Sequence, residues 1–479
     1  PGRLLSYAGL RAWADAIAAD LAAAGVGAGD RVAVGLANSP VLVACVAGVL
    51  RRGAVLVPLN PLYTADELAY VLADSGARAA FLHPEHEAAA AAAGLGAVRC
   101  LHAGPEPAAS PAAAAATRRD DDPALIVYTS GTTGRPKGVV LGNGALGTNL
   151  LTVAAAWQWR SDDRLLLTLP CFHLHGLGLG ILASLMVGSC IVLRERFDAD
   201  GVLADLAATR ATTFFGVPTM YNRIVALADG AEAGIDLSRM RLWVSGSAPL
   251  SAATFERFRD RFGAGIVERY GMTECGFVLS SLPGGPLRPG SVGRPLPGLE
   301  CVLADSDAAD GGAIVPVPDG TVGEILVRGP NLFAGYWQRP EATNAAMLHG
   351  FLRSGDLAFV DPEGQFRIVG RKSIDIIKTR GFKVGAGEIE DCLLRHPAVA
   401  EAAVVGVADA DQGQRLVAAV TLRGGASAGE AELRAHAREH LAPHKVPARI
   451  VVVDDIPKTG PGKYRKVELA RQLAALPAR

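Results

Sequence analysis

Between Tyr128 and Gly138 the chain reads YTSGTTGRPKG, placing four aliphatic hydroxyls (Thr129, Ser130, Thr132, Thr133), three glycines and one lysine within eleven positions. Glycines, here including Gly131, let a backbone turn sharply and approach a ligand closely, so that successive N–H groups can face anionic oxygens. Hydroxyls donate further hydrogen bonds, and Lys137 adds a mobile positive charge. Residue types at this density describe a grip on phosphate. The spacing is not that of the G-x-x-x-x-G-K-[ST] loop, because Gly134 is followed by Arg135, Pro136 and Lys137.

Four further polar clusters follow: ERYGMTE at Glu268–Glu274, SGDL at Ser354–Leu357, IVGR at Ile368–Arg371 and PKTGPGKYRK at Pro457–Lys466. With these in order, the chain resembles the adenylate-forming superfamily of acyl-CoA synthetases, peptide-synthetase adenylation domains and beetle luciferases over nearly its whole length. The resemblance implies that a carboxylic acid and ATP are joined into an acyl-adenylate with loss of pyrophosphate, and that the acyl group then passes to a thiol. It implies ATP, Mg2+ and coenzyme A as small-molecule partners. Carboxylate and triphosphate repel one another, and charge moves onto pyrophosphate as the bond to the α-phosphorus breaks. Pre-positioned donors and a divalent cation lower such a barrier electrostatically.

The same resemblance assigns residues. Lys463, in a Gly/Pro-rich loop, is the lysine expected over the reacting carboxylate and α-phosphate, and a long flexible ammonium suits a site assembled by domain motion. Glu274 matches the magnesium-associated glutamate, and Thr273 beside it the α-phosphate contact. Asp356 matches the aspartate that accepts from both ribose hydroxyls, assisted by Arg371. Ser247, Ala248 and Pro249, together with Glu268, Arg269, Tyr270 and Gly271, match segments lining the adenine pocket, with Tyr270 as the stacking surface. Lys378 matches a lysine of the thioester-forming orientation, and Gly381 and Phe382 the passage for the pantetheine arm. The expected hinge is at Lys372 and Ser373.

For the acid, FHLHGL (with His173 and His175), GVPTMY, SGSAPL and the one extra residue in GRKSIDIIK resemble the malonyl-CoA and methylmalonyl-CoA synthetases. A dicarboxylate needs a cation at the far end of its pocket, where a guanidinium can bind both oxygens. Arg241 and Arg288 are the arginines expected there. Two other readings stay open. The apolar run Cys275–Leu279 would also suit a medium-chain or aryl monocarboxylic acid, and the thiol could belong to a separate carrier protein.

These residues need elements to hold them. The apolar run Ala124–Val127 predicts a buried strand that delivers the phosphate loop. Helical spacing over residues 5–25, a strand at Asp30–Leu36, a helix then a strand within Val41–Leu59, a helix at Glu67–Asp74 and a strand at Ala77–Leu82 predict layered α/β structure with mainly parallel sheets. A second alternation spans Arg164–Leu250. From about Val292 the texture turns to short strands, a small β-rich subdomain. After Arg371 a compact α+β unit of ordinary domain size follows. The expected division is an N-terminal AMP- and acyl-binding domain, residues 1–370, and a mobile lid domain, residues 371–479.

Composition sets the outer bounds. A chain of 479 residues exceeds one compact core. With 50% apolar residues, 20% charged residues and a net charge of −1, disorder and a general polyanion-binding surface are disfavoured. Seven dispersed cysteines with no C-x-x-C pair read as reduced thiols in a cytoplasmic protein, without a disulfide framework or zinc site. The run Val41–Leu59 is broken by Arg51, Arg52 and Pro58, which makes it a poor membrane span. Pro1–Leu10 lacks the pattern of a signal peptide, and the missing initiator methionine leads us to expect a trimmed start.

Overall fold

The computed structural model describes residues 4–92, 99–104, 106–107, 115–129, 135–227, 234–305, 313–372, 375–379, 382–409, 413–458 and 464–475. Two seven-stranded sheets dominate the first part of the chain. One orders its strands Gly335–Tyr336, Lys137–Gly142, Pro123–Thr129, Val55–Pro58, Arg31–Gly35, Ala79–Leu82 and Arg99–Cys100. Its members from Pro123–Thr129 onward run parallel, and the inner ones include fully buried apolar runs, VLVP and AAFL, as sheets covered on both faces require. The other orders Arg294–Pro295, Gly276–Ser280, Val267–Met272, Leu242–Ser245, Thr213–Gly216, Arg164–Leu167 and Cys190–Leu193. Both are α/β with an antiparallel edge, matching the expected class.

The helices begin where the sequence supplies caps. Ala65–Ser75 opens on a Thr64/Glu67 capping box and closes on Gly76 in the left-handed conformation. Pro40–Arg51 opens on Ser39 with proline at its first position. The turn between strands Val267–Met272 and Gly276–Ser280 needs glycine at Gly276. Its φ is +62°, and an added Cβ would lie 2.3 Å from Asn149 Oδ1. Asn149 accepts from the Phe277 N–H and donates to its carbonyl, pinning this hairpin to the Asn143–Ala156 helix.

A third, antiparallel sheet contains Glu300–Ala304, Gly323–Arg328, Phe351–Val360 and Phe366–Arg371. SGDL lies inside the ten-residue Phe351–Val360 strand rather than in a turn. The C-terminal sheet pairs the long strands Val399–Asp409 and Gly413–Leu422 and adds Arg449–Val452 in parallel. One large core gathers side chains from Trp13 to Phe366, and two further clusters lie within Ile377–Leu473.

Periodicity did not anticipate one element. His175–Ala183 is a π-helix, every residue of it buried. Such wide turns occur mostly at functional sites. Among the described residues no helix is long and apolar enough to cross a membrane. All seven cysteines are free thiols.

Candidate active site

The Val267–Met272 strand carries residues on two faces, as successive side chains in a strand must. On one face the Tyr270 hydroxyl donates to Asp356 Oδ2 at 2.8 Å. Arg371 donates to the same carboxylate, Nε to Oδ1 at 2.8 Å and Nη2 to Oδ2 at 3.4 Å. The pairing of Asp356 with Arg371 across adjacent strands sets this geometry. Burial, the Asp356 charge and Cys275 push the Tyr270 hydroxyl far above its ordinary value, so it remains a donor. Burial works against the Arg371 charge, but Asp356, Tyr270 and Glu274 hold its proton affinity above the usual guanidinium level. Tyr270 therefore orients the carboxylate as well as offering a ring.

Glu274 follows at the turn, 7% exposed, and its Oε1 accepts from the Tyr336 hydroxyl at 2.8 Å. The Lys137 ammonium lies 5.0 Å from the centre of the Tyr336 ring. Lys137 and Glu274 thus meet through one aromatic residue, Tyr336, that the sequence reading missed. FAGYW reads as core, and no spacing singles out Tyr336. Thr273 and Thr129 lie on the same two hairpins, both half-buried.

Arg269 is on the opposite face of the strand, 5% exposed. Its Nη2 reaches the Ser247 hydroxyl at 3.4 Å, its guanidinium sits 4.7 Å over the Phe277 ring, and its Nε has no hydrogen-bond partner. Among the described residues no carboxylate pairs with it. Burial alone pushes its proton affinity down, to about 9, which leaves it charged at neutral pH. The Ser247 hydroxyl is 3.3 Å from His175 Nδ1, and His175 stacks on Phe215. Ser247 holds φ at +70°, a strained conformation for a residue with a side chain. Buried Arg269 and buried His175 thus meet at the exposed Ser247, a second cluster, and Ala248 and Pro249 follow Ser247 directly.

Both histidines stay neutral. Burial drops His173 to about 4, and burial with the charge of Arg269 drops His175 well below its ordinary value. Their Nε2 atoms have no hydrogen-bond partner among the described residues. The cation of this cluster is therefore Arg269.

Arg241 and Arg288 do not face it. Arg241 is clamped on the fully buried Asp163 and donates to the carbonyls of Trp157 and Gln158, so its fork is occupied by the fold. Arg288 is 38% exposed and pairs with Glu363 at 2.7 Å. Both arginines expected as the distal cation are thus paired with carboxylates of the protein itself.

Glu268 is buried at 4% exposure and accepts from the Gly290 N–H at 3.0 Å, tying the strand to that turn. Burial, with Asp391 adding to it and Arg367 opposing, pushes its carboxyl up to about 8. Asp391, on the Ala386–Leu394 helix, rises to about 7 through burial and Glu390, opposed by Arg395. Folded values above the unfolded ones mean that this stabilisation is complete below the ordinary carboxyl range, near pH 4, and is lost as pH rises through about 7 to 8. The melting temperature should fall between pH 5 and 8.5, and Glu268→Gln should flatten the fall in differential scanning fluorimetry. A variant curve parallel to that of the wild type would refute the assignment.

Some expected residues lie outside the described ones: Ser130, Gly131, Thr132, Thr133, Ser373, Gly381 and Lys463. The side chains of Lys378 and Phe382 are likewise not described, and Lys372 is half-buried directly after Arg371. The described residues on either side of Lys463 are anchored. Lys458 pairs with Glu401 at 2.8 Å and Asp455 at 3.0 Å, and Lys466 with Asp375 at 2.6 Å and Glu390 at 2.7 Å.

Residues 1–337 match the family model described as AMP-binding enzyme, and residues 388–463 that of the AMP-binding enzyme C-terminal domain. A feruloyl-CoA synthase from an Amycolatopsis species is 38% identical over 98% of this chain and 94% of its own. The structure of ATP-bound MatB from Rhodopseudomonas palustris superposes with a TM-score of 0.91 at 36% identity, covering 99% of this chain and 94% of that one. A malonyl-CoA ligase in a ternary product complex with methylmalonyl-CoA and AMP shares 43% identity over 95% of each chain, with a TM-score of 0.70.

Proposed function

We propose, for a chain that belongs to the AMP-binding enzyme family and is an AMP-forming CoA ligase, that its acid is a malonate-like dicarboxylate held by Arg269. The observation that carries this reading is the buried guanidinium with no carboxylate partner among the described residues. An isolated buried charge is costly, by several kcal/mol after relaxation. A pocket that keeps one is complete when a ligand brings the opposite charge. Arg269 binds the distal carboxylate through its fork, while neutral His175 and Ser247 orient it. The near carboxylate is then left for the α-phosphorus. The malonyl-CoA ligase relative supports this choice of acid.

The rest of the mechanism follows from the other face of the strand. Asp356, oriented by Tyr270 and Arg371, accepts from the ribose hydroxyls. Lys137 faces the phosphates. Glu274 fits the metal-associated role, since a hard cation takes oxygen ligands and its carboxylate is oriented by Tyr336. Magnesium held there would neutralise charge gathering on the departing pyrophosphate. Lys463 is the cation over the reacting centre, Thr273 the α-phosphate contact, and Lys378 the lysine of the thiol-transfer step. Rotation about Lys372–Ser373 exchanges these two sets. The acceptor is coenzyme A, and loading of a separate carrier protein finds no support among the relatives.

One observation favours a monocarboxylate. The cluster has aromatic walls in Phe215 and Phe277, and a feruloyl-CoA synthase is among the relatives. A panel of malonate, methylmalonate, succinate, acetate, octanoate, benzoate and ferulate with ATP, magnesium and CoA separates the readings. Malonate or methylmalonate should exceed acetate in kcat/KM by at least about 100-fold, because a buried group left unpaired by the wrong substrate discriminates strongly. If benzoate or ferulate wins, the dicarboxylate reading fails and the adenylation chemistry stands.

A further inference from the structure

The Ala65–Ser75 helix carries none of the residues assigned above, yet its last two turns grip the nucleotide side of the site from behind. Tyr70 and Asp74 are four residues apart and share one face of it. The Tyr70 hydroxyl donates to the Pro136 carbonyl at 2.8 Å, immediately before Lys137. The Arg135 guanidinium lies 5.2 Å over the Tyr70 ring, and the Tyr128 ring meets Tyr70 edge-on at 6.4 Å.

Asp74 holds three elements at once. Its Oδ2 accepts from the Tyr128 hydroxyl at 2.8 Å, at the end of the strand entering the phosphate loop. Its Oδ1 accepts from Arg339 Nη2 at 2.6 Å, and its backbone carbonyl accepts from Trp337 Nε1 at 3.1 Å. Trp337 in turn donates its N–H to the Gly138 carbonyl at 2.7 Å. Space at that crossing is exhausted. A Cβ on Gly138 would stand 2.7 Å from Ile126 Cγ2, 3.2 Å from Tyr128 Cζ and 3.3 Å from Trp337 Cβ.

Two groups of the site sit between these anchors. Lys137 lies between Pro136 and Gly138, and Tyr336, whose ring faces the Lys137 ammonium and whose hydroxyl orients Glu274, directly precedes Trp337. We infer that Tyr70 and Asp74 are positioning residues for ATP: through Pro136, Tyr128, Trp337 and Arg339 they fix the distance between Lys137 and the Tyr336–Glu274 pair. They touch neither nucleotide nor acid. The inference rests on the AMP-forming chemistry and is independent of which acid is used.

The geometry separates the two half-reactions. Triphosphate binding needs the Lys137 to Glu274 spacing, whereas acyl transfer from a preformed adenylate does not. Tyr70→Phe removes one hydrogen bond and should raise the KM for ATP about 5-fold, the usual worth of such a bond. Asp74→Ala, which releases both Tyr128 and Arg339, should raise it at least about 20-fold by the same reckoning. ATP–pyrophosphate exchange with the best acid of the panel reads this directly. CoA transfer from supplied acyl-adenylate should stay within about 2-fold of wild type in both variants, since no contact broken belongs to that step. Asp74→Asn, which keeps the shape and one acceptor oxygen but loses the ion pair with Arg339, should fall between wild type and Asp74→Ala. An unchanged ATP KM in Tyr70→Phe and Asp74→Ala overturns the inference. So does a parallel fall of both half-reactions with the melting temperature, the mark of a merely structural role. A panel won by a monocarboxylate leaves this inference untouched.

Discussion

Arg269→Met is expected to lower kcat/KM for malonate by about three orders of magnitude, while acetate or propionate turns over as before or better. A site built to pair a buried polar group rejects the substrate lacking the complement by about four to five orders of magnitude, and the reverse change forfeits most of that margin. Arg269 is 5% exposed, packed on Gly246 and Phe277 with Ser247 within reach of its Nη2, so the distal carboxylate would meet an almost dry cation. Methionine fills similar volume and needs no partner. Removing an uncompensated buried charge should also raise the melting temperature of the ligand-free protein. Arg269→Lys keeps the charge but loses the two-pronged geometry, so it should fall between. Steady-state kinetics on both acids decide the matter. An equal loss on every acid would make Arg269 structural, and an undiminished malonate rate would remove it from the pocket.

Asp356→Asn should raise the KM for ATP by about 100-fold with the acid KM nearly unchanged. The carboxylate receives three hydrogen bonds from Tyr270 and Arg371 while 8% exposed. The amide keeps the shape, but it turns an NH2 group toward a donor and removes the counter-charge of Arg371. Hydrogen bonds to charged groups contribute about 1.5–3 kcal/mol each, so the loss of orientation and of one ribose contact gives this magnitude. Nucleotide titration by calorimetry should show the same weakening for AMP, which shares the ribose. If ATP weakens and AMP does not, Asp356 acts on the phosphates and the ribose assignment is wrong.

The adenylation chemistry was legible because its residues announce themselves by type. Hydroxyls, glycines and a lysine in one loop describe phosphate binding without any knowledge of packing, and the alternating strands and helices that deliver them follow from periodicity. The distal cation was misread because proximity to a motif does not say which way a side chain faces. Arg241 stands just before the Leu242–Ser245 strand that leads into SGSAPL, and its partner, Asp163, is 78 residues away. ERYGM itself held the missing information. Period two places Arg269 and Tyr270 on opposite faces of their strand, which separates the Ser247–His175 cluster from the Asp356–Arg371 pair. Tyr336 and the π-helix were out of reach, because aromatic runs and apolar HGLGLGILA look the same whether they pack or line a site.

That single pleated strand has an evolutionary consequence. With Arg269 holding the acid as proposed, the strand's two faces answer to different selection, one to the nucleotide that every substrate must share and one to the acid that varies. A lineage can therefore exchange one acid for another by substitutions at 269 and its neighbours without disturbing the contacts of Tyr270 and Asp356. Loss of the buried charge even gains stability, so drift from dianionic to neutral-tailed acids runs downhill and the return runs uphill. Selectivity for a second carboxylate in this scaffold is a trait that selection must keep renewing.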